Sequence, residues 1–524
     1  MEDRLTVDIL IIGCGIGGAV AALRATEDRQ VSVCVLSHAA EPQECNTLYA
    51  QGGIIHRGPE DSPELLTQDL LRAGDGLNYP PAVDLLAREG PPLLQELLID
   101  RLQVPFARTP DGRLEHIREA AHSTGRILHV GDSTGRAVEE RLVAALQERP
   151  NLLLLSRHTA VDLLTPAHHS RNRLAVYEPL SCVGAYVFDQ QRSRVVTILA
   201  RKVILASGGL GRIFLHTTNP PGARGDGLAM AYRAGARIIN AEYVQFHPTA
   251  FYWRGNAEFL VSEALRGAGA RLLNAQGEPF MARYAPEWKD LAPRDVVARS
   301  IHEELLTTGA RCVYLDLKSY LGRDEILRRF PTIYEQCLRY GVDITQDVIP
   351  VVPAAHYFCG GVWVDLWGRT TIGNLYAVGE VSCTGVHGAN RLGSASLLEG
   401  LLWGWRAGGD ALATLAATAP PDPAEIPPWY DEGLVESADP ALIRQDIGTI
   451  QHIMWNYVGL VRTTPRLERA LRDLQDLRHD IDRFYASTRL TDSLIGLRNS
   501  VQAALVVTQA AWSNKESSGC HYRG

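Results

Sequence analysis

The chain has 524 residues, 46% hydrophobic and 21% charged, with a net charge of −8. That length predicts two or three domains, the acidic balance argues against nucleic acid as a partner, and no apolar stretch can span a bilayer. Nine cysteines without a CxxC pair, and an acidic Met1-Glu2-Asp3 start with no signal peptide, predict a cytoplasmic protein with reduced thiols, no disulfide framework and no metal.

Residues 7–12, Val-Asp-Ile-Leu-Ile-Ile, read as a buried strand running into Gly13-Cys14-Gly15-Ile16-Gly17-Gly18 and a helix over 19–26. This is G-x-G-x-x-G with a strand before it and a helix after it, the setting that binds a dinucleotide. The first glycines permit a tight turn and the approach of a pyrophosphate, with Ile16 between them; Gly18 lets helix and strand pack closely. The second strand, 31–36, ends in Leu36-Ser37-His38, where a nicotinamide enzyme carries an acid for the ribose. Ser37 therefore suits a dinucleotide held by many other contacts, as a large flavin nucleotide is.

Cys45-Asn46-Thr47-Leu48-Tyr49-Ala50-Gln51-Gly52-Gly53 can lay backbone amides along a ring edge. Residues 62–150 read as helical, interrupted at 114–135 by a polar stretch with Arg118-Glu119-Ala120-Ala121-His122-Ser123. Residues 151–200 suggest a small strand layer, and 203–209 a buried strand ending in glycines. Gly225-Asp226-Gly227 opens a helix over 228–236, with Asp226 as its N-cap or a cofactor contact. From about 245 to 350 the chain reads as mixed helix and loop, a second domain inserted into the first, with His247-Pro248 as a strand end. The Pro-rich stretch 419–428 reads as a linker, and 440–515 as an appended helical bundle.

The chain is organised around the segment between a strand at 374–379 and a helix over 397–415. Its loop carries Glu380, His387, Arg391, Ser394 and Ser396, with Leu397 opening the helix. Ser394 or Ser396 is expected to cap that helix, whose N-terminus offers amide donors to a group that becomes anionic on reduction. Arg391 is a fork for a carboxylate.

Taken in order, these motifs resemble the flavoprotein family of succinate dehydrogenase and fumarate reductase, and within it the aspartate oxidase branch. The carriers are the N-terminal glycine loop, Tyr49-Ala50-Gln51-Gly52-Gly53, His247-Pro248-Thr249, Ser262-Glu263-Ala264-Leu265-Arg266-Gly267, Ala292-Pro293-Arg294-Asp295, His356-Tyr357 with Gly360-Gly361-Val362, and His387-Gly388-Ala389-Asn390-Arg391. The resemblance implies an α/β fold: a Rossmann-like FAD-binding domain (1–244 and 353–418), an inserted α+β capping domain (245–352) and a C-terminal helical domain (425–524).

It also implies FAD held by Gly13, Gly15, Ile16, Gly17, Gly18, Ser37, Asn46, Thr47, Ala50, Gln51, Gly52, Gly53, Asp226, Glu380, Ser394, Ser396 and Leu397. In the membrane-complex enzymes the residue before Thr47 is a histidine bonded to the flavin; an amide at Asn46 is no nucleophile, which implies non-covalent FAD. Arg391, His247 and His356 are implied as carboxylate clamps, Ser262 as a hydroxyl donor, Arg294 as a proton shuttle and Glu119 as the acid facing a substrate amino group. Aspartate oxidases have two glycines where Ala120 and Ala121 stand, so this loop is expected to avoid glycine-only conformations.

The implied reaction is oxidation of L-aspartate to iminoaspartate for the quinolinate branch of NAD synthesis. Oxygen or fumarate is the electron acceptor and quinolinate synthase a candidate partner. The alternative is the flavoprotein subunit of a succinate dehydrogenase or fumarate reductase.

Overall fold

The structure, a computed structural model, describes residues 4–119, 121–434 and 438–524. Ala120 and the Met1-Glu2-Asp3 start lie outside the described residues. The first strand, Arg4–Ile12, occupies the middle of a sheet, with Ile9, Leu10 and Ile11 fully buried. A strand apolar on both faces needs covered parallel neighbours. It has Val33–Leu36 on one side and Arg194–Leu205 on the other, both parallel, and Leu152–Leu155 adds outside Val33–Leu36.

Arg194–Leu205 is long enough to serve two layers along its far edge. Its N-terminal half pairs antiparallel with Gly184–Asp189, which in turn pairs with His158–Leu164. Its last three residues pair in parallel with Leu375–Ala377. A strand from far downstream thus completes the first sheet and delivers the Glu380–Ser396 loop beside the glycine loop.

The helices that follow these two strands, Ile16–Ala25 and Ala395–Leu415, pack backbone to backbone. A Cβ at Gly404 would lie 2.4 Å from the Gly17 carbonyl oxygen, and one at Gly408 2.5 Å from that of Ala21. Only glycine admits so close an approach.

The intervening chain builds a five-stranded antiparallel sheet in the order Asn256–Leu260, Val244–Trp253, Ile349–Phe358, Val313–Asp316, Arg271–Leu273. It has its own core, with Phe251, Leu272, Val297, Ile301, Leu315 and Val351 buried together. Strands therefore replace much of the helix and loop expected there. The His247-Pro248 pair lies inside a strand instead of ending one. Proline cannot donate to the ladder, and the pairing register with Ile349–Phe358 shifts between His247 and Ala250; a bulge is where a sheet tolerates proline.

Three helices, Pro440–Val458, Thr464–Ser487 and Asp492–Ser513, form the C-terminal part. The Pro-rich stretch before them is a strap more than a linker. Ile426 is buried among Val161, Leu164, Leu199 and Ile495, the Ile426 carbonyl accepts from Arg4, and that of Pro427 accepts from Tyr186. No helix among the described residues is long and apolar enough to cross a membrane.

Candidate active site

Between the two sheets lies a cavity of about 1190 Å³, larger than most small-ligand pockets. It runs from the glycine loop and Ser37, past Thr47–Gly53 and Glu380, to the strands and helix of the second sheet. All the expected site residues line it except Gly18. A Cβ at Gly18 would lie 2.1 Å from the Gly13 carbonyl oxygen, so its part is in packing the helix against the turn behind the loop.

At the glycine-loop end the helix Ile16–Ala25 begins at Gly15 without a side-chain cap. Thr47 Oγ1 accepts from the Ile16 amide at 3.0 Å, and the remaining first-turn amides suit a pyrophosphate. Glu380 lies where this region meets the second sheet. Its carboxylate accepts from Asn46 Nδ2 at 2.6 Å and from the Phe358 amide at 3.0 Å, and burial pushes its pKa up to about 7. Asp226 is the first residue of the helix Asp226–Ala234, whose cap is Gly225 in the left-handed region. The Asp226 carboxylate, instead of capping, is tied to Arg224 at 2.8 Å and to Asn499 at 2.9 Å.

The helix Ala395–Leu415 starts two residues before the expected Leu397; Ser394 holds its N-cap position, but neither serine's hydroxyl makes a cap bond. Ser394 adopts φ 58° with no side-chain cap bond, because its hydroxyl donates to Glu119 Oε2 at 2.7 Å. The Ser396 hydroxyl accepts from Arg391 at 3.1 Å. Both serines are committed to charged side chains, and the helix dipole is left facing the cavity.

Four expected groups meet against the second sheet. Arg391 is buried, held by Gln245 Oε1, which accepts from its Nε and a terminal nitrogen at 3.2 and 3.0 Å. Among the described residues no carboxylate pairs with it. Arg294, the first residue of the helix Arg294–Thr308, donates to Glu263 Oε2 at 2.5 Å. Burial works against its charge, but Glu263 outweighs burial and holds its pKa up.

His247 and His356 stand with ring centroids 5.5 Å apart. Burial first, and then nearby arginines, hold both well below the usual histidine range, so both are neutral. Thr249 engages Nδ1 of His247 and Thr218 that of His356, leaving each Nε2 for the cavity. Ser262 lines the same wall, its hydroxyl accepting from the Ala264 amide.

Glu119 approaches from the opposite side, its second oxygen 3.4 Å from the Gly53 amide. A Cβ at Gly393 would lie 3.1 Å from Glu119 and 3.6 Å from Arg294, so one acid and one arginine flank the same glycine. Ala121 does not keep out of the left-handed region that favours glycine: its φ is 66°. The loop is clamped instead. Asp69 accepts from the Ser123 amide and hydroxyl at 2.8 Å each, and Arg126 pairs with Asp69 and Asp61.

Four participants carried no assigned role in the sequence: Glu263, Arg266, Gln245 and Tyr357. Arg266 is buried 3.5 Å from Glu263, so Glu263 links two arginines. An acid and an arginine three residues apart in Ser262-Glu263-Ala264-Leu265-Arg266 were the available signal.

The cavity fits FAD. Gln51 Oε1 and Ser207 Oγ line it as buried polar atoms without a partner, the cost that a polar ligand removes. Two helix N-termini without side-chain caps face its two functional regions, one placed for a pyrophosphate and one for a ring that gains negative charge.

Comparison with known proteins agrees. Residues 8–397 match the FAD binding domain family and residues 448–524 the fumarate reductase flavoprotein C-terminal family. An L-aspartate oxidase of Yersinia pestis is 43% identical, covering 98% of this chain and 95% of that protein. One of Halobacterium salinarum is 42% identical, covering 100% and 97%. Among solved structures, a mutant E. coli quinol fumarate reductase FrdA superposes with a TM-score of 0.88 at 28% identity, covering 100% of this chain and 92% of that one. A Mycobacterium smegmatis Sdh1 in complex with UQ1 gives 0.84 at 30%, covering 100% and 89%. The chain belongs to the FAD-binding flavoprotein family of fumarate reductase and succinate dehydrogenase, on its L-aspartate oxidase branch, and is an FAD-dependent oxidoreductase.

Proposed function

We propose that the protein oxidises L-aspartate to iminoaspartate in the cytoplasm, with oxygen or fumarate as the final electron acceptor. The product would feed the quinolinate branch of NAD synthesis, with quinolinate synthase as the partner that receives it. The observation that carries this reading is the charge pattern of one cavity wall. Arg391, Arg294 and two neutral imidazoles line it with two acids, of which Glu263 is taken by Arg294 and Glu119, facing Arg294 across Gly393, is the one left without a cationic partner. Two carboxylates and one ammonium on four carbons are the complement of that pattern. A dicarboxylate without nitrogen leaves Glu119 unused.

Bound FAD supplies the acceptor for the hydride that leaves the substrate Cα. The protein's residues do the rest. Arg391 spans one carboxylate, and His247 and His356 donate from Nε2 without adding charge, with the Ser262 hydroxyl beside them. Glu119 holds the substrate nitrogen so that Cα–H is presented in one orientation, which is where orientation enters the rate, and the nitrogen gives up one proton to the Glu119 carboxylate, freeing the lone pair that forms the C=N bond as the hydride leaves. In the reverse sense, fumarate reduction, Arg294 delivers a proton to the carbon next to the hydride site, and Glu263 at 2.5 Å stabilises it. FAD is held without a covalent bond: Asn46 stands before Thr47, and its amide nitrogen is committed to Glu380.

Steady-state turnover tests the reading. The protein should consume oxygen with L-aspartate and release oxaloacetate and ammonia as the imine hydrolyses. Turnover with succinate and none with L-aspartate would refute it.

A further inference from the structure

The second strand ends in Leu36-Ser37-His38, without the acid that meets a dinucleotide's ribose in this position. His38 lines the cavity there, with Thr159, Gly222 and Asp226. An acid reaches the same place from the other end of the chain. Asp492, the first residue of the helix Asp492–Ser513, has its two carboxylate oxygens 3.0 and 3.1 Å from His38 Nε2. The carboxylate also accepts from the Thr159 hydroxyl at 2.7 Å and from Arg224 at 2.9 and 3.2 Å. Arg224 pairs in turn with Asp226 at 2.8 Å. Burial works against the charge of Asp492, but His38 and Arg224 outweigh burial and hold its pKa below the usual carboxylate range. Asp492 thus ties together side chains from three distant segments without lining the cavity itself.

We propose that Asp492 is a positioning residue for FAD, holding His38 so that its Nδ1 meets a hydroxyl of the cofactor's adenosine ribose. The C-terminal helix then completes the nucleotide seat that the second strand leaves short of an acid. Asp492 occupies Nε2, and the bond made by one ring nitrogen fixes what the other presents. Nδ1 has no partner among the described residues, and a Cβ at Gly222 would lie 3.5 Å from it, so glycine there leaves its approach open. A sugar hydroxyl both donates and accepts, and therefore pairs with Nδ1 in either protonation state of the ring. With its pyrophosphate on the first-turn amides of the helix Ile16–Ala25, FAD brings the adenosine ribose to the end of the second strand. Without Asp492 the ring is free to rotate, and ordering it on FAD binding costs affinity. This role depends on that placement of FAD and not on the substrate that is oxidised.

The test is the FAD dissociation constant, read by diluting the FAD-loaded protein and following the flavin fluorescence that returns on release. Asp492→Asn and His38→Phe should each weaken FAD binding by about 2- to 12-fold, the contribution of one hydrogen bond. Joined in one chain, they should weaken it no more than His38→Phe does alone, because Asp492 acts through His38. Wild-type affinity in either single variant would overturn the proposal. So would additive losses, which would assign the effect of Asp492 to the Arg224–Asp226 pair or to a general loosening of the fold. The His38 side chain is 33% exposed, so His38→Phe tests the ribose contact even if Asp492→Asn does not fold.

Discussion

Replacing Glu119 with glutamine removes one charge and leaves the side chain's shape. The glutamine oxygen can still accept from Ser394, whose hydroxyl lies 2.7 Å from Glu119 Oε2, and the only loop contact given up is the long one from the Gly53 amide at 3.4 Å. What is lost is a charge-assisted hydrogen bond to the substrate ammonium, worth roughly 1.5–3 kcal/mol. Realised in the transition state, that is about a 10- to 150-fold fall in kcat/KM for L-aspartate. Fumarate carries no ammonium, and removing a negative charge from a wall built of Arg391 and Arg294 cannot weaken its binding. Fumarate reduction with a dye as electron donor should therefore hold its wild-type rate. Parallel assays on one Glu119→Gln preparation read both numbers. Equal losses in the two reactions would refute the assignment and make Glu119 a structural acid.

Other perturbations reach different parts of the molecule. Ala121 sits at φ 66°, a region that costs a non-glycine residue roughly 1 kcal/mol; Ala121→Gly should raise the melting temperature slightly and keep activity, and a lower one would contradict the strain. Arg126→Met strands the buried carboxylates Asp61 and Asp69 and should cost about 3–5 kcal/mol in urea unfolding; a loss under 1 kcal/mol would contradict it. Burial holds the pKa of His56 and His216 down to about 4, whereas the unfolded chain takes up protons near 6.5. Their contribution is complete above 6.5 and is lost as pH falls toward 4, by about 3 kcal/mol per histidine at pH 4. Melting at pH 8 and pH 5 should show the drop, and His216→Phe should reduce it; an unchanged pH slope would contradict the origin.

Much of the fold is legible where one local signal suffices. Gly13 to Gly18 between a strand and a helix announces the first crossover, and Arg391 beside a glycine loop marks the second. The second sheet was hidden because Pro248 sits mid-strand and the strands pair across long sequence separations. The roles of Ser394 and Ser396 were misread for a related reason. A serine before a helix is a good cap by propensity, but Glu119 and Arg391 arrive from elsewhere in the chain and claim the hydroxyls. Gln245 and Tyr357 show no chemistry in sequence, since their function is to hold Arg391, whose guanidinium lies over the Tyr357 ring. Ala121 shows the limit of composition: tertiary clamps at Asp69 and Arg126 impose a backbone that alanine disfavours.

The most direct test of the account is anaerobic mixing of the purified yellow protein with L-aspartate and, separately, with succinate, following the oxidised flavin band. The same sample is then precipitated with acid. Bleaching by L-aspartate and hardly by succinate, with the colour released into the supernatant, is the predicted result. Bleaching by succinate alone, or colour retained in the pellet, would contradict it and place the chain with the succinate-oxidising flavoproteins.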